Sequence, residues 1–178
     1  CPGARILRFP FGPKRYVRKE LLWPHLEQLA DQLVSRLSQP GGAVDWIHSH
    51  YADAGLVGAL VSQRTGIPLV FTGHSLGREK QRRLLESGLD WSQIEQTYAI
   101  SRRIDAEERA LAQADLVVTS THQEVDHQYA RYGHFQAEQS AVVPPGVDAT
   151  RFYPNASTQE LAEIQPLVQP FLREPDRS

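Results

Sequence analysis

Residues 67–77 read Ile67-Pro68-Leu69-Val70-Phe71-Thr72-Gly73-His74-Ser75-Leu76-Gly77, an apolar run that leads directly into a loop with two glycines. The run is apolar throughout, as a strand must be when helices cover both faces of a parallel sheet. The glycines either shape a tight turn or let the backbone approach a ligand. Their spacing matches neither a Walker loop nor G-x-G-x-x-G. The stretch therefore predicts a buried parallel strand with a candidate loop at its carboxyl end.

Outward from this strand, short apolar runs alternate with longer amphipathic stretches along the whole chain. Strands are predicted at residues 4–9, 44–49, 67–72, 115–120 and 140–143. Helices are predicted at residues 20–37 (regular from about Pro24), 53–66, 91–114, 121–132 and from Ser157 or Thr158 to Val168. This alternation predicts an α/β fold, a Rossmann-like parallel sheet flanked by helices.

The composition excludes several classes of protein. The chain has 178 residues, of which 40% are hydrophobic and 22% charged, which suits one domain with a substantial core. A net charge of −2 provides no global positive field for nucleic acid or an anionic membrane. No apolar run approaches the roughly 20 residues that span a bilayer, and we expect no signal peptide because charged residues, not an apolar core, follow Cys1-Pro2-Gly3. Cys1 is the only cysteine, so no internal disulfide forms, and we expect a cytoplasmic protein.

The ends of the chain predict that it is an internal segment of a longer protein. It contains no methionine, and residues 174–178 form a polar, turn-prone sequence typical of linkers. We expect residues 1–154 to form one domain. Residues 155–178 are expected to form a linker and a helix that lead to a further domain.

Polar residues follow three of the predicted strands, in residues 47–55, 72–80 and 120–124. Ligands of open parallel sheets bind outside the carboxyl ends of the strands. We therefore expect His50, His74 and Ser120 to lie near one edge of the sheet.

His48 and His50 have the H-x-H spacing of metal ligands. A metallo-hydrolase would continue the pattern with aspartate and histidine, but Asp53 comes three residues after His50 and no histidine follows it. The alternative is a pair of hydrogen-bonded histidines at a strand end. A metallo-hydrolase therefore stays open only as a minor alternative.

Charged and aromatic residues allow two interpretations. Arginine and lysine cluster after the glycine loop and again near residue 103, at Arg78, Lys80, Arg82, Arg83, Arg102, Arg103 and Arg109. A solvated helix face explains most of them, whereas a subset at the sheet edge would form a phosphate pocket. Glu107 and Glu108 are expected in surface ion pairs. Tyr51, Trp91 and Tyr98 are expected to pack rather than to stack on a sugar.

Five segments resemble sucrose-phosphate synthases in order and spacing, and sucrose synthases and other retaining GT-B glycosyltransferases share parts of the pattern. They are residues 48–55 (HSHYADAG), 70–80 (VFTGHSLGREK), 102–108 (RRIDAEE), 118–124 (VTSTHQE) and 143–148 (VPPGVD). The resemblance covers most of residues 5–154. The second and third segments are specific to the sucrose-phosphate synthase branch, whereas the fifth is widely shared.

The resemblance implies transfer of glucose from UDP-glucose to fructose 6-phosphate, which gives sucrose 6-phosphate and UDP with retention of anomeric configuration and no cofactor or obligatory metal. An N-terminal domain would hold the acceptor and a C-terminal domain the nucleotide. His74 is the implied catalytic residue at the transferred glucose. The implied substrate-binding residues are Lys19, Tyr51, Ser75, Lys80, Arg102, Arg103 and Gly146, with Lys80 and one of the two arginines on the 6-phosphate and Gly146 beside the cleft.

The chain departs from that family pattern in two places. The glycine-rich first loop of such domains does not precede the aligned region, and no donor domain follows it within residues 1–178. We therefore expect one incomplete half of a two-domain GT-B enzyme, inactive in glucosyl transfer by itself. Two alternatives remain, a sucrose synthase that uses free fructose and a sugar-phosphate-binding module without chemistry.

Overall fold

A single parallel sheet organises the part of the chain that the structure describes. The structure is a computed structural model that describes residues 3–148, 150 and 166. Residues Cys1–Pro144 form one compact unit and Pro145–Ser178 a second. The four strands are β1 (Ile47–His50), β2 (Leu69–Thr72), β3 (Leu116–Thr119) and β4 (Ser140–Val142), in the order β1-β2-β3-β4. All three pairings are parallel, which confirms the predicted parallel sheet for four of its five expected strands.

Helices occupy most of the segments between the strands. They are α1 (Leu26–Leu37), α2 (Tyr51–Thr65), α3 (Gly77–Glu86), α4 (Trp91–Tyr98), α5 (Ile100–Gln113) and α6 (His122–His127). Short 3-10 turns lie at Lys19–Leu21, Trp23–His25, Tyr129–Arg131 and Ala137–Gln139. The α/β prediction is therefore confirmed. Within the described residues, no helix has both the length and the apolar character needed to cross a membrane.

Three predicted elements differ from the structure. The strand predicted at residues 4–9 is wrong, since this segment joins no sheet and Ile6 is 82% exposed. The helix predicted at residues 91–114 is two helices, because Ala99 adopts a left-handed conformation with φ 45° between them. The helix predicted at residues 121–132 ends early and continues as a 3-10 turn. The predicted helix after Ser157 and the predicted boundary at residue 154 lie outside the described residues.

The second strand lies at the centre of the core. Leu69 and Phe71 of β2 are fully buried, and their cluster includes Ile100 and Ala110 of α5. A second cluster joins α1 to the opposite side of α2, through residues such as Ala30. Because α2 packs on both sides, most of its length is apolar rather than amphipathic.

Two glycines let α2 lie close to the sheet. A Cβ at Gly55 would come within 2.6 Å of Phe71 Cε2, and a Cβ at Gly58 would overlap Ser49 Oγ and lie 2.9 Å from Leu69 Cδ1. A side chain larger than hydrogen at either position would displace the buried side chains that it meets. This contact fixes where α2 begins relative to the end of β1.

The close contact predicts the effect of a single added methyl group. Gly58→Ala should lower the free energy of unfolding by about 1–2 kcal/mol, because overpacking outweighs the gain of up to about 1 kcal/mol in helix propensity. Urea denaturation of the two proteins measures the difference. Gly133→Ala is the matched control, because its Cβ would lie 4.0 Å from the nearest atom, and it should change stability by less than about 0.5 kcal/mol. A neutral Gly58→Ala would contradict the close contact.

Candidate functional site

The carboxyl ends of the strands meet at one edge, as predicted. His50 at the end of β1 pairs in register with Thr72 at the end of β2. His50 Nδ1 lies 2.8 Å from Nε2 of His74, which belongs to the loop after β2. Ser120 follows β3 at the same edge and donates its amide to Glu124 Oε2 at 2.9 Å. The sheet-edge prediction is therefore confirmed for all three residues.

Three histidines and one tyrosine cluster at this edge. His48 Nε2 lies 3.0 Å from Thr72 Oγ1, and the ring centroids of His48 and His50 are 4.2 Å apart. The Tyr51 ring lies 4.7 Å from that of His74. Burial, followed by the charges of His50 and His74, lowers the pKa of His48. The histidines are thus hydrogen-bonded to each other and to Thr72, and no set of three or more His, Cys, Asp or Glu in the described residues is arranged to hold a metal.

Two residues of this cluster have a strained backbone. Tyr51 has φ 67° and His74 has φ 55°, in the left-handed region that disfavours a side chain. Each such conformation costs on the order of 1–3 kcal/mol and is often found at functional sites. The strain places both rings at the same edge of the sheet, where they contact each other.

Gly73 and Gly77, the two glycines of the loop after β2, allow protein atoms to pack closely and do not bring the backbone close to a ligand. A Cβ at Gly73 would lie 2.9 Å from the Tyr129 hydroxyl, to which the Gly73 amide donates at 2.7 Å. A Cβ at Gly77 would lie 2.7 Å from Glu107 Oε2 and 2.9 Å from Ile104 Cγ1. Protein atoms therefore occupy the space that a side chain would need at either glycine, which supports the tight-turn interpretation.

A cavity of about 270 Å³ lies next to the histidine cluster. Four of the expected site residues line it, namely Lys19, Tyr51, Lys80 and Arg103. Sequence reasoning did not assign the other lining residues to the site: Glu20, Trp23, Ala52, Asp53 and Tyr98. The cavity thus brings together residues from four separate segments of the chain.

The remaining expected residues lie elsewhere. Ser75 and His74 line a neighbouring depression of about 330 Å³, which shares Lys80 with the cavity. Arg102 is exposed and lines neither space, so the structure brings only Arg103 of the arginine pair to the cavity. Gly146 is exposed and belongs to the second compact unit.

Three cations meet in the cavity. Burial, followed by the charges of Arg103 and Lys19, lowers the pKa of Lys80, while Glu20 opposes the shift. The Lys80 ammonium lies 3.9 Å from the centroid of the Tyr98 ring, at its face. The three cations outnumber the two carboxylates of the lining, Glu20 and Asp53, so an anion bound beside the cations would relieve their mutual repulsion.

The other basic residues after the loop form ion pairs, as the helix-face interpretation predicts. Arg82 and Arg83 both bond Glu79, at 2.7 and 2.8 Å, and Arg78 Nη2 lies 2.7 Å from Glu108 Oε1. Hydrogen bonds from Arg82, then Arg83, outweigh burial and lower the pKa of Glu79 to about 2. Lys80 differs from these neighbours because it lines the cavity.

Glu107 corrects the expectation of a surface ion pair. Its side chain is fully buried, and its carboxyl accepts the Gly77 amide at 2.8 and 3.0 Å, the Tyr132 hydroxyl, and Arg103 Nε at 3.1 Å. Burial raises the pKa of Glu107, although its partner Tyr132, then Arg103, opposes the shift. Arg103 also donates through Nη2 to the Ser75 carbonyl. The i,i+4 spacing of Arg103 and Glu107 predicts their pairing, but it does not predict the burial.

Glu108 fits the expectation better. It is partly exposed and bonds Arg78, His134 and the Gly133 amide. Burial would raise the pKa of Glu108, but these hydrogen bonds outweigh it and hold the pKa at about 2.

Comparison with known proteins gives consistent relatives. The family model of the first GT-B domain of sucrose synthase matches residues 2–154. A probable sucrose-phosphate synthase 2 of Arabidopsis thaliana is 48% identical over 146 residues, and the sucrose-phosphate synthase of Spinacia oleracea is 46% identical over 147 residues. Each match covers 75% of this chain and 14% of the relative, so the chain spans about a seventh of these proteins.

A solved structure agrees with the sequence relatives. The sucrose-phosphate synthase of Thermosynechococcus elongatus superposes with a TM-score of 0.61 and 25% identity, covering 89% of this chain and 35% of the other. This superposition and the match of the family model to residues 2–154 lead to one assignment. The chain belongs to the family of the first GT-B domain of sucrose synthase.

Proposed function

We propose that this chain is the acceptor-side part of a retaining glycosyltransferase that moves glucose from UDP-glucose to fructose 6-phosphate, releasing sucrose 6-phosphate and UDP. The observation that carries the proposal is the convergence of Lys19, Lys80 and Arg103 on one cavity beside His74 and Tyr51. A dianionic phosphate is bound by charge-assisted donors such as these, whereas a free sugar does not need them.

The cavity lining can bind both the phosphate and the hydroxyl groups of a phosphorylated sugar. Glu107 holds Arg103 at Nε and the Ser75 carbonyl holds it at Nη2, so its remaining N–H groups can donate to a phosphate, while Lys80 provides a point charge. Glu20 and Asp53 also line the cavity and can accept hydrogen bonds from sugar hydroxyls. We propose that the 6-phosphate lies at the cations and the furanose hydroxyls at these carboxylates.

His74 lies at the edge where a second domain would bring the donor. We propose that His74 bonds the transferred glucose as the transition state forms, with His50 as its hydrogen-bond partner at 2.8 Å. We also propose that a separate C-terminal domain binds the nucleotide, that no metal is obligatory, and that the enzyme acts in the cytoplasm. By itself the chain would then lack the groups that hold UDP-glucose.

Sucrose synthase activity is the second candidate, because the matching family model carries that enzyme's name. It would use free fructose as the acceptor, and the cations of the cavity would then have no phosphate partner. A sugar-phosphate-binding module without catalysis is the third. Comparing fructose 6-phosphate with fructose as acceptors in the full-length enzyme separates these candidates.

Lys80→Ala in the full-length enzyme should raise the KM for fructose 6-phosphate strongly. Loss of one desolvated charge partner costs about 2–4 kcal/mol, which corresponds to roughly 30- to 1000-fold in affinity. Any residual use of free fructose should change little, because fructose has no phosphate to bind. Steady-state kinetics with the two acceptors measure both effects.

Arg82→Ala is the matched control for that experiment. Arg82 lies on the same helix, forms surface ion pairs with Glu79 and Glu86, and lines neither space, so its removal should leave the KM unchanged. Equal losses for both acceptors in Lys80→Ala would indicate damaged folding. No loss for either acceptor would remove Lys80 from the site, and with it the main reason to prefer a sugar phosphate.

His74→Ala should lower kcat more than it raises the KM for the acceptor. An interaction made mainly in the transition state gives this pattern, since its loss does not weaken ground-state binding. His127→Ala, which removes an exposed histidine of α6, serves as the control and should leave both constants unchanged. Wild-type turnover in His74→Ala would reject the catalytic role.

A further inference from the structure

The ammonium of Lys80 is repelled by the other cations of the cavity, so another group must hold it there. Lys19, Lys80 and Arg103 all line the cavity, and lysine has a long, flexible side chain. Glu107 orients Arg103 through a 3.1 Å hydrogen bond to Nε. The Glu20 carboxylate attracts the ammonium of Lys80 electrostatically, but among the described residues no hydrogen bond or salt bridge holds that ammonium. Its direct described contact is with an aromatic ring.

That ring belongs to Tyr98. The Lys80 Nζ lies 3.9 Å from the ring centroid, well inside the distance of about 6 Å over which a ring face attracts a cation. A ring face stabilises the ammonium without neutralising it. A carboxylate in the same place would compete with a bound phosphate, and the ring does not.

The backbone around Tyr98 is built to direct it toward the cavity. Tyr98 is the last residue of α4, and Ala99 follows with φ 45° and ψ 47° before α5 begins. The Glu95 carboxylate accepts hydrogen bonds from Ser101 N at 3.0 Å and Ser101 Oγ at 2.8 Å, and so ties the end of one helix to the start of the next. This one break brings Tyr98 and Arg103, which lie on different helices, to the same cavity.

We propose that Tyr98 is a positioning residue whose ring face holds the Lys80 ammonium toward the cavity, ready for the phosphate of the acceptor. The proposal rests on the proposed function of the same site. Tyr98 acts through Lys80, and its hydroxyl is not needed for this role.

The test uses the full-length enzyme with fructose 6-phosphate and with fructose. A cation–π contact is worth about 0.5–2 kcal/mol, so Tyr98→Leu should raise the KM for fructose 6-phosphate roughly 2- to 30-fold with kcat unchanged. Tyr98→Phe keeps the ring face and should retain the wild-type KM. The ratio of the KM for fructose 6-phosphate to the KM for free fructose should rise in Tyr98→Leu and stay at the wild-type value in Tyr98→Phe.

A double variant tests whether the ring acts through Lys80. In Lys80→Ala the ammonium is gone, so adding Tyr98→Leu should cause no further loss. Trp91→Leu is the matched control, because it removes another aromatic ring of α4 that lies outside the cavity, and its KM should not change. Melting temperatures of all variants report on folding.

A second series keeps the shape of the ring. Phenylalanines of increasing ring fluorination at position 98 weaken the negative potential of the ring face while the core packing stays nearly the same. The KM for fructose 6-phosphate should rise stepwise with fluorination. This series still tests the role of the ring if Tyr98→Leu fails to fold.

The outcomes distinguish the proposed role of the Tyr98 ring from the proposed phosphate site on which it rests. A flat fluorine series, a Tyr98→Phe as impaired as Tyr98→Leu, or additive losses in the double variant would each overturn the role of the ring. If Lys80→Ala itself leaves the KM unchanged, the phosphate site fails and the ring proposal fails with it. If Lys80→Ala is impaired and the Tyr98 series is not, only the ring proposal fails.

Discussion

The buried carboxyl group of Glu107 is the contact on which the rest of the site depends. It accepts the amide of Gly77, where α3 begins, so it fixes the helix that carries Lys80. It accepts Arg103 Nε and the Tyr132 hydroxyl as well, and thus joins α5 to the segment after α6. A buried carboxyl is costly unless hydrogen bonds satisfy it, and three elements of the fold provide them. The same bonds orient the arginine that lines the cavity.

The sequence predicts an element of this fold correctly where the segments that pair with it also have a clear hydrophobic pattern. The apolar run of β2 predicts a strand buried on both faces, and parallel pairing then brings His50 and His74 to one edge. The segment at residues 4–9 has a strand-like pattern as well, but it forms no strand in the structure. The break at Ala99 escapes prediction for a different reason. Alanine favours helix, yet Ala99 lies at positive φ between two helices that the Glu95–Ser101 hydrogen bonds tie together.

In the site too, the spacing of residues along the chain predicts part of the arrangement, and the packing of side chains decides the rest. Family resemblance names both Arg102 and Arg103, yet neighbours on a helix point about 100° apart, so only one of them reaches the cavity. Which one it is depends on Glu107, one turn later, whose burial no local pattern predicts. Glu20, Asp53 and Tyr98 were missed because they come from separate segments that only folding brings together. Arrangement in space, not residue type, distinguishes them from other charged or aromatic residues.

The positive φ angles of Tyr51 and His74 have a consequence for engineering this domain. Substitutions chosen only for heat resistance would favour glycine or asparagine at both positions, because these residues adopt the left-handed region at lower cost. Each such substitution would remove a ring from the edge of the sheet. A heat-resistant variant selected without regard to catalysis would therefore tend to lose the site first, and a library meant to preserve activity should hold these two positions constant.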